Sequence, residues 1–280
     1  MAEPAHLAGV VRYYETHPIN EAQILEHLRR RGVPLAGLTE EQLKEHDQDH
    51  YGGIAAVDAL AAAADIGPHD HVLDICSGLG GPARYLAHRL GCRVTGIDLT
   101  RSRVESAHRL TGLVGLAQLV GFVQGSALAL AFADASFDIV IGQEAWVHVP
   151  DKPRLIAEAV RVLRPGGRIA FTDILQRGPM SEATRIRLEQ GMTYASYGSL
   201  ALYPRWLEAE GCRLLSVEDL SIAWTAILQE RLAMYRSLRD TTEASFGAGR
   251  AAEWDDIYAF FVAQYETGVL GGGRFVAVKG

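Results

Sequence analysis

Short β-branched segments alternate with helical segments through the middle of this chain, and this alternation constrains the fold most strongly. The candidate strands are 71–75, 93–98, 121–124, 137–142 and 167–173. Three segments with the apolar spacing of helices lie between them, at 81–90, 102–112 and 152–163. Strands that alternate with helices in this way predict a parallel sheet covered by helices on both faces.

The two ends of the chain have a different character. Residues 1–62 and an aromatic-rich segment at 222–265 have helical spacing, whereas 177–203 is predicted as an irregular connection. A helix is predicted at 204–210, and further strands at 213–219 and 274–279. The glycines 271–273 predict a turn into a terminal hairpin at the sheet edge. We therefore predict a helical cap at 1–64 and a main domain at 65–280, with a helical insert at 222–268.

The composition limits the partners that the chain can have. Its 280 residues are 48% hydrophobic, which is enough for a sizeable core. The 34 acidic residues outnumber the 27 basic ones, and this balance argues against nucleic acid or an anionic membrane as a partner. The three cysteines cannot form a disulfide framework. We expect a soluble cytoplasmic protein that acts on a small molecule, and a homo-oligomer is compatible with the sequence.

A glycine turn follows the first candidate strand. Gly78 and Gly80 let the backbone approach a ligand closely, and the helix that follows favours negative charge at its start. The pattern Gly78-x-Gly80-x-x-Ala83 matches the dinucleotide-binding fingerprint. Asp98 ends the second strand, 24 residues after Asp74, where a carboxylate can accept both hydroxyls of a ribose. These residues predict a cofactor that contains adenosine, without deciding which one.

Three further features distinguish between such cofactors. Asp74 places an acid beside the glycine turn, which suits a ligand ammonium better than a pyrophosphate. Residues 125–127, Gly-Ser-Ala, follow the third strand, where a small polar side chain and a backbone N–H could contact an adenine edge. The segment 132–138 leads into the fourth strand, and Pro-Gly-Gly at 165–167 leads into the fifth.

Together these motifs resemble the class I S-adenosylmethionine-dependent methyltransferases, over residues 72–173. The segment 143–152, Gln-Glu-Ala-Trp-Val-His-Val-Pro-Asp-Lys, is similar to the region after strand four in sarcosine/dimethylglycine N-methyltransferases and sugar O-methyltransferases. The resemblance implies an α/β fold with a doubly wound, mostly parallel, seven-stranded Rossmann-like sheet and an antiparallel terminal strand. It also implies S-adenosylmethionine as the cofactor and a small molecule as the methyl acceptor.

The resemblance further implies which residues contact the cofactor. Cys76 stands where relatives usually have the first glycine of the turn, and Arg103 stands where they often have a ribose-contacting glutamine. Ser126 replaces a more common aspartate. The implied contacts are Asp74, Gly78, Gly80 and Gln143 for the methionyl part, Asp98, Leu99 and Arg103 around the ribose, and Ser126 and Ala127 at the adenine edge.

His148 and Asp173 are the candidate catalytic residues. The resemblance to sugar O-methyltransferases implies a His/Asp base pair at these positions, and both residues follow strands whose ends should meet at the cofactor. An acceptor must lose a proton, which favours a base with a pKa near neutrality. In the alternative interpretation, His148 only shapes the pocket and Asp173 anchors a loop.

A second group of polar residues lies at 45–53. If this segment is helical, His46 and His50 share one face at a spacing typical of metal ligands. No third ligand is apparent nearby, so we predict a solvated polar loop and no metal site, with a substrate-binding divalent metal as the alternative. The resemblance implies that a histidine-containing loop from this region covers the active site.

Six residues are candidate substrate contacts. Two come from the loop just described and one from a tyrosine pair, Tyr13-Tyr14, which resembles a pair that closes over the cofactor in this family. The others come from the region after strand five. The six are His50, Tyr51, Tyr14, Met192, Tyr194 and Tyr197.

These observations predict an enzyme that transfers a methyl group from S-adenosylmethionine to a nitrogen or oxygen of a small metabolite, giving S-adenosylhomocysteine. Two alternatives stay open. The first is a nicotinamide-dependent dehydrogenase, which the fingerprint and Asp98 would also suit. The second is a non-catalytic sensor that binds S-adenosylmethionine or its product.

Overall fold

The computed structural model describes residues 3–15, 17, 19–48, 50–240, 243 and 247–280. Within these described residues, four helices precede the sheet: α1 (Glu3–Glu15), α2 (Glu21–Arg30), α3 (Glu40–Leu43) and α4 (Gly53–Ala64). The middle of the chain forms β1 (His71–Ile75), α5 (Gly81–Leu90), β2 (Arg93–Asp98), α6 (Arg101–Leu113), β3 (Val120–Gln124), β4 (Phe137–Gln143), α7 (Lys152–Val162) and β5 (Leu163–Gln176). The last part forms α8 (Glu182–Met192), α9 (Leu202–Ala209), β6 (Cys212–Asp219), α10 (Ser221–Ser237), α11 (Ala248–Glu266) and β7 (Leu270–Lys279).

The described strands form one seven-stranded sheet in the order β3-β2-β1-β4-β5-β7-β6. Strands β1 to β5 pair in parallel with one another, and β7 runs antiparallel between β5 and β6. The strand order reverses between β1 and β4, which places a ligand crevice at the carboxyl ends of these strands. The predicted fold class is therefore confirmed.

Apolar side chains fill both faces of the sheet. One cluster packs α7 and α9 against one face, and another packs α4, α5 and α6 against the other. In the second cluster, Val57 and Leu60 of α4 lie in the same core as Val72 of β1. The division of the chain at residue 65 stays a prediction. Among the described residues, no helix combines the length and apolar character that crossing a membrane requires.

Two details of the C-terminal part differ from the sequence prediction. The connection at 177–203 contains a helix, α8, whose start is capped by the Ser181 hydroxyl accepting the Thr184 N–H. Leu188 and Met192 are its buried residues, so its amphipathic pattern is too short to detect in the sequence. The residues 271–273 do not form a turn but lie within β7.

The glycines of β7 serve close packing. A Cβ atom at Gly272 would lie 2.1 Å from a ring carbon of Trp224, and one at Gly271 would lie 2.2 Å from the Ser221 hydroxyl. Because Ser221 and Trp224 both belong to α10, this helix packs directly on the backbone of β7. The predicted turn was wrong since glycine here makes room for a helix, and β6, not β7, forms the sheet edge.

Candidate active site

A cavity of about 580 Å³ lies at the carboxyl ends of β1, β2 and β4, a size typical of small-molecule sites. Residues that follow these strands form its floor. Helix α1, the loop around His50, α8, α10 and the first half of α11 form its walls. The cavity therefore lies at the position where an open α/β sheet binds ligands.

The loop after β1 forms one side of this floor. Cys76, Gly78 and Gly80 all have positive φ angles, 65°, 55° and 77°. Cys76 and Gly78 line the cavity, whereas Gly80 does not and packs against Phe122, whose ring would be 2.3 Å from a Cβ atom there. Cys76 thus adopts the conformation expected of the glycine it replaces, and burial raises the pKa of its thiol.

Asp98 ties this loop to the end of β2. Its carboxylate accepts the Gly78 N–H at 2.9 Å and the Thr100 N–H at 2.8 Å. Burial raises the pKa of Asp98, whereas these two donors lower it. Because each carboxylate oxygen can accept more than one hydrogen bond, Asp98 can hold the loop and still accept from a ligand.

At the sheet end of the cavity, three buried oxygens have no hydrogen-bond partner among the described residues: Asp74 Oδ2, Ser77 Oγ and Gln143 Oε1. Such acceptors are rare in native proteins, since each costs desolvation energy without compensation. Burial, followed by the nearby Asp98 charge, raises the pKa of Asp74 to about 7. A ligand that brings an ammonium and further donors would satisfy these oxygens, so the residues fit the methionyl part of S-adenosylmethionine.

The other side of the floor contains the residues expected around the adenosine. Leu99, Arg103, Ser126 and Ala127 all line the cavity. Arg103 is buried and lies against α1, where it donates to the Tyr14 carbonyl at 3.3 Å and stacks over the Tyr14 ring. The structure therefore brings together every expected cofactor contact except Gly80, and their individual roles stay predictions.

His148 lies on the cavity wall with a defined tautomer. Its Nδ1 is 3.1 Å from both the carbonyl and the hydroxyl of Thr193, and because the carbonyl can only accept, we assign the proton to Nδ1. Its Nε2 can therefore accept, and it lies 2.9 Å from the Tyr14 hydroxyl, which donates to it. Burial lowers the pKa of His148 to about 4, so the ring is neutral at pH 7.

Asp173 lies beneath the cavity and not on its wall. Its carboxylate accepts the Val147 N–H at 2.9 Å and the Tyr203 hydroxyl at 2.5 Å, and it pairs with buried Lys152 at 3.3 Å. None of its described hydrogen bonds or ion pairs involves His148. This placement favours the interpretation of Asp173 as an anchor for the turn that carries His148.

Glu144 lines the cavity and was given no role from the sequence. It has a φ of 52°, and its carboxylate accepts the Tyr51 N–H at 2.5 Å and the Thr172 hydroxyl at 2.9 Å. Burial raises its pKa to about 7. The sequence feature that could have identified Glu144 is an acidic residue directly after a strand that ends at the site. Its partner Tyr51 is 93 residues away, a contact that no local pattern reveals.

Not all of the six expected substrate contacts line the cavity. Tyr14, His50, Tyr51, Met192 and Tyr194 line the cavity, whereas Tyr197 lies outside it. The Tyr197 ring packs edge-on against Tyr194, with centroids 6.3 Å apart. It therefore supports the wall without forming part of it.

His46 and His50 do not share a helix face, and the prediction that their loop is solvated is wrong, because Asp47 and His50 are buried. Helix α3 ends at Leu43, and the residues after it form turns. His46 packs against the His27 ring, with centroids 4.9 Å apart, whereas His50 faces the cavity. Asp49, in the same segment, lies outside the described residues. In the described part of the chain, no group of three His, Cys, Asp or Glu side chains is arranged to hold a metal.

The pKa of Asp74 predicts a pH dependence of cofactor binding. If its carboxylate receives the ligand ammonium, protonation competes with binding below pH 7, and affinity for S-adenosylhomocysteine should fall about tenfold from pH 8 to pH 6. Calorimetric titration across this range measures the effect. Asp74→Asn should bind weakly with no such slope, whereas Glu144→Gln should keep the slope. A flat profile for the unchanged protein would contradict the assignment.

Comparison with known proteins agrees with this geometry. A family model described as a methyltransferase domain matches residues 73–171, from β1 to β5. The protein named methyltransferase GfsG from Streptomyces halstedii is 34% identical over 192 residues, which cover 62% of this chain and 69% of that protein. The glycine/sarcosine/dimethylglycine N-methyltransferase of Actinopolyspora halophila is 34% identical over 170 residues, 59% of this chain and 29% of that enzyme.

A solved structure has the same fold. Phosphoethanolamine N-methyltransferase 2 of Haemonchus contortus, in complex with phosphomonomethylethanolamine and S-adenosylhomocysteine, has a TM-score of 0.77 at 20% identity. The match covers 96% of this chain and 60% of that protein. The chain thus spans less than two thirds of this enzyme and of the Actinopolyspora enzyme.

Proposed function

Because the chain belongs to the S-adenosylmethionine-dependent methyltransferases, we propose that it transfers a methyl group from this cofactor to a nitrogen or oxygen of a small molecule. When bound, S-adenosylmethionine supplies a methyl group on a positively charged sulfur, which is activated towards a well-placed lone pair. Asp74, Gly78, Asp98 and Gln143 would hold the cofactor, since they line the cavity and two of them carry unpartnered buried acceptors.

The observation that carries the proposal is the hydrogen bond between Tyr14 and His148. An acceptor hydroxyl must lose its proton during attack, and a protonated amine must lose one before it. The Tyr14 oxygen can take this proton while its own proton passes to His148 Nε2, which the tautomer leaves as an acceptor. The low pKa keeps His148 unprotonated at neutral pH, so Nε2 can accept a proton, but it also makes the ring a weaker base than the near-neutral one that the sequence predicts.

Other residues hold this pair in place. The Thr193 carbonyl fixes the His148 ring from one side, and His6 donates to the His148 backbone carbonyl at 2.8 Å. Arg103 holds the Tyr14 segment of α1 over the cavity. Tyr51 and Tyr194 add aromatic surface to the wall, which limits the access of water to the reacting atoms.

Because the chain belongs to this family, the hypothesis of a nicotinamide-dependent dehydrogenase is dropped. An assay for turnover distinguishes an enzyme from a non-catalytic sensor. We expect S-adenosylhomocysteine to form only when an acceptor is present, and chromatography of reactions with small amines and with hydroxylated natural products measures this. Binding of S-adenosylmethionine without turnover on any acceptor would favour a sensor.

Removing the Tyr14 hydroxyl tests the proton pathway. With a hydroxyl acceptor, Tyr14→Phe should lower kcat by about 10²–10⁴, the range for loss of general acid–base catalysis, with little change in S-adenosylhomocysteine affinity. Tyr85→Phe is a matched control, because it also removes one tyrosine hydrogen bond, to Asp58, away from the cavity. An unchanged kcat in Tyr14→Phe would mean that positioning alone supports transfer.

A further inference from the structure

Four arginines line the part of the cavity that α10 and α11 enclose. Arg231 and Arg236 lie on α10, Arg239 lies just beyond its end, and Arg250 lies near the start of α11. These four residues are called the arginine wall below. We propose that the arginine wall binds an anionic group, a phosphate or a carboxylate, on an otherwise apolar methyl acceptor. This inference rests on the proposed function and assigns its substrate class.

The arginine wall is positively charged, although the chain as a whole is acidic. The whole protein carries a formal net charge of −7, yet α10, α11 and the residues between them contribute four arginines and a single acid, Asp255, to the described cavity lining. The other acids of the lining belong to the sheet end or to the loop before His50. Concentrated positive charge in a cleft attracts and orients anions.

Hydrogen-bonded partners hold three of these arginines in position, namely Arg231, Arg236 and Arg239. Arg236 pairs with Asp255 through two contacts, at 2.8 and 3.2 Å, and Arg239 pairs with Glu243 at 2.6 Å. Arg231 donates to the His50 carbonyl at 2.6 Å. A guanidinium has five N–H donors in a planar fork, so one carboxylate partner orients it and does not exhaust it. Planar forks of this kind bind phosphate and carboxylate in a bidentate manner.

The same cavity also has an apolar and aromatic surface. Leu232, Tyr235, Trp254 and Tyr258 come from α10 and α11, and Met192 comes from α8. These side chains suit the body of a hydrophobic molecule better than a small hydrophilic amine. An acceptor with its anionic group at the arginine wall and its apolar body along this surface would present its other end to Tyr14 and His148.

Binding of simple amphiphiles tests the proposal without knowledge of the natural acceptor. The probes are octyl phosphate, octanoate, octanol, octyltrimethylammonium and inorganic phosphate, titrated calorimetrically into protein saturated with S-adenosylhomocysteine. We expect octyl phosphate and octanoate to bind at least tenfold more tightly than octanol. Inorganic phosphate should bind much more weakly than octyl phosphate because it lacks the apolar part.

Substitution of two arginines tests whether the acidic probes bind at the arginine wall. Arg236→Gln/Arg250→Gln should weaken binding of both acidic probes at least tenfold and leave octanol binding unchanged. Arg187→Gln is the matched control, because Arg187 pairs with Asp256 of α11 much as Arg236 pairs with Asp255, yet it does not line the cavity. It should keep acidic-probe affinity within twofold.

The outcomes separate this inference from the proposed function. The inference is overturned if octanol or octyltrimethylammonium binds as tightly as octyl phosphate, if no acidic probe binds, or if Arg187→Gln loses as much affinity as the double variant. It is also overturned if inorganic phosphate matches octyl phosphate, which would indicate a free-anion site. S-adenosylhomocysteine affinity is measured separately for each protein, and its absence from the unchanged protein would count against the proposed function itself.

Discussion

Asp98→Ala is expected to weaken S-adenosylhomocysteine binding at least a hundredfold. The substitution removes the expected ribose acceptor and also leaves the Gly78 and Thr100 N–H groups without their carboxylate. Hydrogen bonds to a charged group contribute about 1.5–3 kcal/mol each, and a factor of ten in affinity corresponds to about 1.4 kcal/mol. Because Asp98 holds the glycine loop to β2, its loss should both remove a ligand contact and loosen the loop.

The control for this variant is an aspartate of similar chemistry at the other end of the sheet. Asp138, near the start of β4, also accepts a backbone N–H, that of His71 at 2.9 Å, and also pairs with an arginine. It does not line the cavity. Calorimetry should therefore show Asp138→Ala binding within about twofold of the unchanged protein. Equal losses in both variants would mean that general destabilisation, not the cofactor site, explains the effect of Asp98→Ala.

The part of the cavity that we propose holds the cofactor could be located from the sequence because its residues follow individual strands. Asp74, Gly78 and Asp98 each occupy a fixed place relative to the end of β1 or β2, and the parallel sheet brings those ends together. Even Cys76, which stands where a glycine was expected, has a positive φ, a conformation that favours glycine. The local backbone thus determines this half of the site, and a short segment of sequence reveals it.

The part of the site that we propose holds the methyl acceptor, around Tyr14 and His148, could not be predicted because segments distant in the sequence form it. The ability of His148 Nε2 to accept a hydrogen bond depends on Thr193, which contacts Nδ1, and Nε2 in turn contacts Tyr14, which is 134 residues away. Asp173 lies beneath the site, where it pairs with buried Lys152 on α7. The sequence indicates an acid and a histidine after two strands, but only packing decides which of them faces the cavity.

Lys152→Met is expected to lower the free energy of unfolding by about 3–5 kcal/mol, the cost of leaving one member of a buried ion pair without its partner. Lys152 and Asp173 are both almost fully buried, and burial lowers the pKa of Lys152, whereas the Asp173 charge opposes this shift. The lysine also donates to the Trp146 carbonyl, at the start of the turn that carries His148. Urea denaturation followed by circular dichroism measures the loss.

The double variant Lys152→Met/Asp173→Asn tests whether Lys152→Met loses stability because the Asp173 charge is left unpaired or because packing is lost. An asparagine at 173 is neutral, yet it can still accept the Val147 N–H and bond to the Tyr203 hydroxyl, so these buried groups stay satisfied. We expect the double variant to recover at least half of the stability that Lys152→Met loses. Lys44→Met, which removes a lysine paired with exposed Glu41, should change stability little. If the two buried substitutions instead add, the pair is not coupled, and Asp173 anchors the His148 turn through its neutral partners alone.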